Sequence, residues 1–200
     1  MNFFEYVLGV AAAGLLCAPL SCQADAASPY WLRDAQVSPD GAPIAFTYRG
    51  QIWIVPSEGG DASPLTEREF RSTAPVWSPD SSHIAFASDR FNVSDVFVMP
   101  DKGGDITRLT HHSAPETPLA FSADGEEVFF GAARQGTPEA DYLDGLGQSV
   151  GVLMKVATSG GRARMVLPLP MAQADLSPDG RTLAYVERKT VENFWRKGEI

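Results

Sequence analysis

The sequence predicts an all-β chain of repeated four-stranded antiparallel units, and three observations support that fold class. A Ser-Pro-Asp-Gly-like tetrapeptide recurs four times, with serines spaced 40, 44 and 55 residues apart. A short β-branched or aromatic run follows each copy, and no segment shows sustained helical periodicity. A Gly-Gly pair keeps step with the first three copies and lies between two further strand-like runs.

Each unit therefore has one strand on either side of the tetrapeptide and one on either side of the Gly-Gly pair. Four-stranded units of about 40–45 residues, repeated along a chain, are typical of a β-propeller. We predict a partial β-propeller over residues 27–200, with complete blades at about 30–73, 74–115 and 116–170 and an incomplete fourth at 171–200. A loop inserted within the third unit accounts for its greater length.

The tetrapeptide contains the residues that a tight turn requires. Proline presets φ near −65°, the aspartate accepts local N–H bonds, and glycine takes positive φ. Two copies depart from this pattern. Ser81 stands where the others have glycine and must adopt the left-handed conformation, which costs about 1 kcal/mol, and Ala123 replaces the proline. The turn residues, all assigned a structural role, are Ser38, Pro39, Asp40, Gly41, Ser78, Pro79, Asp80, Ser122, Asp124, Gly125, Ser177, Pro178, Asp179 and Gly180.

Residues 1–26 have the pattern of a secretory signal peptide. The apolar run over 6–20 is shorter than the roughly 20 residues that span a bilayer, and small residues at 24 and 26 suit a cleavage site. We expect export, to the periplasm in a bacterium. A buried N-terminal helix and a lipoprotein anchored through Cys22 are the alternatives. Cleavage after residue 26 would leave no cysteine, and so no thiol nucleophile or disulfide.

The chain is acidic, with 16 basic and 25 acidic residues and a net charge of −9. It lacks the basic footprint of a nucleic-acid partner, and we expect no membrane contact beyond the signal peptide. No motif for a cofactor or a metal is present, so none is expected. The histidines, His83, His111 and His112, have no third ligand at metal spacing and are interpreted as solvated residues.

The second unit resembles a known repeat. Its pattern from Pro75 to Thr110, P-x-W-SPD-x-x-x-IAF-x-SDR followed by DVFVMP-x-x-GG-x-x-x-RLT, is similar to the WD-type repeat of TolB-like propellers. Trp31-Leu32-Arg33, the RLTHHSA stretch at 108–114 and ENFWRK at 192–197 more narrowly resemble the N-terminal propeller of bacterial tricorn-like serine peptidases. That family belongs to the tail-specific protease-like superfamily.

The resemblance implies that the propeller filters or guides peptides or unfolded proteins. Catalysis in such proteins lies downstream, in a tail-specific-protease-like domain with a serine nucleophile beyond a PDZ-like domain. None of that sequence is present, so we expect an interrupted, non-catalytic propeller whose open sheet edges favour homo-oligomers. The alternatives are a TolB-like periplasmic propeller that binds peptides or proteins without peptidase activity, and a propeller serving another hydrolase, such as a prolyl-oligopeptidase-like or amidohydrolase enzyme.

Two further features are candidates for function. Asp89 and Arg90 end the second strand of the second unit and are candidates for peptide contact, although they could instead pair locally or with a neighbouring blade. Residues 147–151 match G-x-S-x-G, but a polar loop precedes and a strand follows, whereas a nucleophile elbow requires a strand before and a helix after. Ser149 is therefore not assigned as a nucleophile, and no catalytic residue is assigned.

Overall fold

The computed structural model describes residues 31–132, 151–177 and 182–187. The expected signal peptide, the inserted loop with Ser149 and the chain beyond residue 187 lie outside the described residues. So do Pro178, Asp179 and Gly180 of the fourth turn. Within the described part of the chain, no helix is long and apolar enough to cross a membrane.

The described residues form strands joined by turns, with no helix among them. The strands are β1 (Arg33–Val37), β2 (Pro43–Tyr48), β3 (Gln51–Pro56), β4 (Ser63–Pro64), β5 (Ser72–Trp77), β6 (His83–Phe91), β7 (Val93–Pro100), β8 (Thr107–Arg108), β9 (Glu116–Phe121), β10 (Glu127–Ala132), β11 (Gly151–Ala157), β12 (Arg164–Leu176) and β13 (Leu183–Glu187).

These strands form three antiparallel sheets, each a meander in chain order: β1 to β4, β5 to β8, and β9 to β13. The third sheet has five strands because β12 is long enough to pair twice. The first part of β12, up to Leu167, pairs with β11. The last part, from Met171, pairs with β13, and Met171 also pairs with Gly151 of β11. The prediction of an all-β partial propeller is confirmed, with three four-stranded units and the start of a fourth.

The second sheet is buried on both faces. Along β6, Ile84 and Phe86 belong to the apolar cluster shared with the first sheet, whereas Ala85 belongs to the cluster shared with the third. Successive side chains of a strand point to opposite faces of its sheet, which explains this alternation. A run that is apolar on both faces therefore suits a central unit, and Ile84, Ala85 and Phe86 are fully buried.

The meanders give the stack of sheets two ends. At the end that we call the turn end, the Ser-Pro-Asp turns lie side by side, and the Asp40 N–H donates to Ser81 Oγ at 3.1 Å. At the opposite end, the hairpin end, the β2–β3 and β6–β7 hairpins lie beside the connection over residues 65–71. There the Ser72 N–H donates to the Gly50 carbonyl at 2.6 Å.

Candidate functional site

The three fully described turns, two Ser-Pro-Asp and one Ser-Ala-Asp, close in the same way. The fourth residue of each donates its N–H to the carbonyl of the turn serine at 2.8–2.9 Å. Its φ is positive, at 76° in Gly41, 60° in Ser81 and 74° in Gly125. Ser81 therefore holds a left-handed conformation that costs about 1 kcal/mol for a residue with a Cβ.

The turn aspartates use their carboxylates within their own turns. In each, the serine hydroxyl donates to the aspartate Oδ1 at 2.5–2.6 Å, and a following backbone N–H donates to the same oxygen. These bonds stabilise the charged form, so the pKa values of Asp40 and Asp124 lie below the ordinary value. The pKa of Asp80 falls to about 2, because the Ser78 and Ser82 hydroxyls both donate to it.

The turn serines also bond across the hairpin. The N–H of the residue five positions later donates to the serine Oγ at 2.9 Å from His83, Glu127 and Thr182. The last of these reaches Ser177 and shows that the fourth turn shares this feature. In the first turn the corresponding residue is Pro43, which has no N–H to donate. The geometry gives these serines and aspartates a role in folding the hairpins.

Two threonines have a structural role that the sequence interpretation missed. Thr66 Oγ1 accepts the Ile52 N–H and Thr110 Oγ1 accepts the Val96 N–H, both at 2.9 Å. Both threonines are buried, so each hydroxyl replaces a backbone acceptor just beyond a two-residue outer strand. The signal was the Leu-Thr pair repeated at the same place in two units.

Asp89 does not pair with its neighbour Arg90. Its Oδ1 accepts the Arg71 N–H at 2.8 Å, and its own N–H donates to the Arg71 carbonyl at 3.2 Å. Its carbonyl accepts the Asn92 N–H at 2.9 Å, which closes the tip of the β6–β7 hairpin. Asp89 therefore fastens the connection from the first sheet onto the second.

Arg90 lies at the hairpin end with an incomplete set of partners. Its guanidinium carbon is 5.1 Å from the ring centroid of Phe70 and 6.0 Å from that of Phe97. Its Nη2 is 3.8 Å from Glu67 Oε2, which is an ion pair but too long for a hydrogen bond. Among the residues that the structure describes, the buried Nε and Nη2 have no hydrogen-bond partner.

A second arginine lies beside the same rings. The Arg108 guanidinium carbon is 4.1 Å from the ring centroid of Phe91, and Phe91 stacks on Phe97 at 6.3 Å. Arg108 is held there because its Nη2 donates to the fully buried Asp95 at 2.7 Å and its Nε donates to the Thr110 carbonyl at 2.9 Å. Neither Arg108 nor Asp95 has a role that its position in the sequence predicts.

We call this group the arginine–aromatic cluster: Phe70, Arg90, Phe91, Phe97 and Arg108. It combines two guanidinium groups with an aromatic ring that stays 55% exposed. Guanidinium groups bind carboxylates through paired N–H bonds and also stack on aromatic rings. The chemistry of the cluster therefore suits an acidic or aromatic ligand group, and no nucleophile with a general base is part of it.

The two ends of the described stack differ in charge. At the turn end, the turns over 38–42, 57–62, 78–82, 101–106, 122–126 and 158–163 carry eight acidic residues and two basic ones. The acidic ones are Asp40, Glu58, Asp61, Asp80, Asp101, Asp105, Asp124 and Glu126. At the hairpin end, the segments over 49–50, 65–71 and 89–92 carry four basic residues, Arg49, Arg68, Arg71 and Arg90, and three acidic ones, Glu67, Glu69 and Asp89. The hairpin end is therefore less acidic than the turn end and repels an anionic ligand less.

The histidines do not come together. His83 lies at the turn end, where its Nδ1 is 2.7 Å from Ser82 Oγ, whereas His112 accepts the Ala114 N–H beyond β8. No group of three metal-ligating side chains occurs among the described residues.

Residues 29–198 match the family described as the tricorn protease N-terminal beta propeller domain. The chain belongs to this family. A curated relative, the "Uncharacterized peptidase YuxL" of Bacillus subtilis, is 40% identical over an alignment covering 28% of this chain and 10% of that protein. The tricorn-type propeller chain thus matches only a small part of that relative.

Two solved TolB structures share the fold of this tricorn-type propeller. TolB from Acinetobacter baumannii is 20% identical, with a TM-score of 0.64, and the match covers 81% of this chain and 39% of that one. A putative TolB from Agrobacterium tumefaciens is 18% identical with the same TM-score, covering 78% of this chain and 53% of that one. The chain spans about half of these structures or less.

Proposed function

We propose that this chain acts as the non-catalytic N-terminal propeller of an exported tricorn-like serine peptidase. In this role it guides peptides or unfolded protein segments to a catalytic domain located elsewhere in the protein. The observation that carries the proposal is the family match over residues 29–198. The partners are then peptide substrates together with PDZ-like and peptidase domains.

The geometry of the described residues supports binding of the peptide at the hairpin end. The turn-end carboxylates of Asp40, Asp80 and Asp124 are engaged by their own serines. The arginine–aromatic cluster, in contrast, has an exposed ring and two Arg90 nitrogens without hydrogen-bond partners among the described residues. Arg90, a candidate from its sequence position, thus remains the residue that we propose for peptide contact.

Export is part of the same proposal. Residues 1–26 would direct secretion and be removed, and the remaining propeller would work in the periplasm of a bacterium.

Self-association of the 200-residue chain also stays a prediction. Multi-angle light scattering of the purified chain at several concentrations tests it, because a mass that rises with concentration supports oligomers and a constant monomer mass contradicts them.

The product of the complete reading frame tests the function. Hydrolysis is measured with a fluorogenic short peptide and with an unfolded, dye-labelled casein, each for the full product and for a form lacking residues 27–200. We expect the deletion to lower kcat/KM for casein more than for the short peptide. An equal change for both substrates would argue against a guiding role.

The same reading frame decides between the alternatives. A PDZ-like and tail-specific-protease-like continuation agrees with the proposal. A reading frame without a peptidase domain would favour the binding-module alternative, and an α/β-hydrolase continuation would favour a different enzyme.

A further inference from the structure

We propose that the arginine–aromatic cluster binds peptide segments through an acidic side chain, whose carboxylate takes the Nε–Nη2 edge of Arg90. This inference rests on the proposed function, since it names the substrate class of a peptide-binding propeller. It commits to an aspartate or glutamate side chain within the segment.

The two nitrogens of Arg90 that lack a hydrogen-bond partner define the ligand. Nε and Nη2 lie on the same edge of the planar guanidinium, and that edge accepts both oxygens of one carboxylate through parallel N–H bonds. Both nitrogens are buried and neither has a hydrogen-bond partner among the described residues, so a ligand carboxylate reaches this edge only when a neighbouring side chain moves aside. The guanidinium carbon lies 5.1 Å from the Phe70 ring centroid and 6.0 Å from that of Phe97, and these ring contacts restrict the orientation of the edge.

Glu67 shows that an acidic side chain can approach Arg90 Nη2. Its carboxylate comes from the connection between the first two sheets and stops 3.8 Å from Arg90 Nη2, while its side chain remains 69% exposed. Arg90 is only 17% exposed. A recessed guanidinium suits a carboxylate on a flexible side chain better than one attached directly to a backbone terminus. Glu67 is therefore a competitor within the chain that a ligand carboxylate must displace.

The surroundings supply the rest of the contact. Phe91 stacks on Phe97, which also lies beside the Arg90 guanidinium, and presents an exposed ring that an apolar neighbour in the ligand segment can cover. Arg108 stacks on the Phe91 ring, while its charge is compensated by the buried Asp95 carboxylate. Because the turn end is acidic and the hairpin end is close to neutral, an acidic segment is repelled less at the hairpin end.

Fluorescence anisotropy with the full chain tests the inference. The probes are three peptides that carry a neutral boron-dipyrromethene dye on the N-terminus: GGFEGG-amide, the same peptide with glutamine for glutamate, and GGFQGG with a free C-terminal carboxylate. We expect the glutamate peptide to bind at least about tenfold more tightly than the glutamine amide, as a bidentate charged contact implies. The peptide with the free terminus should resemble the glutamine amide.

Variants locate the contact. Arg90→Lys keeps the positive charge but removes the paired N–H groups of the guanidinium, and should weaken binding of the glutamate peptide about tenfold. Glu67→Gln removes the competitor and should tighten it severalfold, a gain that a poorly folded protein could not show. Arg68→Ala, an exposed residue of the same connection, is the control for charge alone and should have a small effect.

The outcomes separate the two proposals. Equal binding of the glutamate and glutamine peptides, or preference for the free terminus, would overturn the acidic side-chain inference while leaving peptide binding intact. Binding of none of the three peptides would count against the inference and the proposed function together. A Glu67→Gln variant that binds the glutamate peptide less tightly would show that Glu67 is not a competitor.

Discussion

Trp77 donates its indole N–H to the carbonyl of Gln36 at 3.0 Å and thereby joins the second sheet to the first strand of the chain. The indole is 7% exposed and packs in the apolar cluster shared by the two sheets. Asp34 adds a second link, because its Oδ2 accepts both the Thr47 hydroxyl and the Ala74 N–H. The units are thus fastened by polar bonds as well as by apolar packing.

Replacing Trp77 by phenylalanine should lower the free energy of unfolding by about 1–3 kcal/mol. The substitution removes the hydrogen bond to Gln36 and part of the buried ring. Urea unfolding followed by circular dichroism measures the loss. Trp31→Phe is the matched control, since Trp31 is 78% exposed. Equal urea midpoints for the two variants would contradict the joining role.

Gly41→Ala should destabilise the first turn by about 1 kcal/mol, because Gly41 has φ of 76°. A Cβ at this position would meet nothing within 4 Å, so the cost is conformational rather than steric. Gly41→Asn should cost less, since asparagine tolerates the left-handed region. Thermal melting of the three proteins should therefore rank glycine above asparagine and asparagine above alanine, and any other order would contradict the account of the turn.

The Asp80 turn should weaken in acid. Its folded-state pKa is lowered from 3.8 to about 2, so its stabilising contribution is present above about pH 4 and is lost as the pH falls through about 2. Asp80→Asn should show a smaller drop in melting temperature between pH 5 and pH 2 than the unchanged protein. Ser78→Ala removes the largest cause of the lowered Asp80 pKa, so its drop should also be smaller and should be complete at a higher pH. If the melting temperatures of all three proteins fell by the same amount between pH 5 and pH 2, the Asp80 carboxylate would not stabilise the turn.

Arg108→Ala should destabilise the fold by about 3–5 kcal/mol, because it leaves the fully buried Asp95 carboxylate without its cation. Converting Asp95 to valine in the same protein should recover much of this loss, since no buried charge then remains. Val152 occupies the corresponding place in the third unit, judged from the strand registers. Chemical denaturation of the single and double variants provides the comparison. A double variant as unstable as Arg108→Ala alone would show that the loss comes from packing instead.

The repeated units could be predicted from sequence because their signals are local. Proline presets one torsion, the aspartate bonds to its own turn, and strands alternate in apolar character over a few residues. The environment of Arg90 could not be predicted, because Asp89 and Arg90 are adjacent in sequence yet contact different partners in the connection before the second sheet. Such contacts depend on how one unit packs on the next, which residue spacing alone does not specify. The double pairing of β12 was missed for the same reason.

Binding of an unfolded polypeptide by the 200-residue chain tests the central claim most directly. The probe is a reduced, carbamidomethylated and fluorescently labelled α-lactalbumin, titrated alongside the same protein in its native, disulfide-bonded form. The account predicts saturable binding of the unfolded form, weakened by Arg90→Lys and by high salt, and little binding of the native form. Equal binding of both forms, or binding of neither, would contradict it.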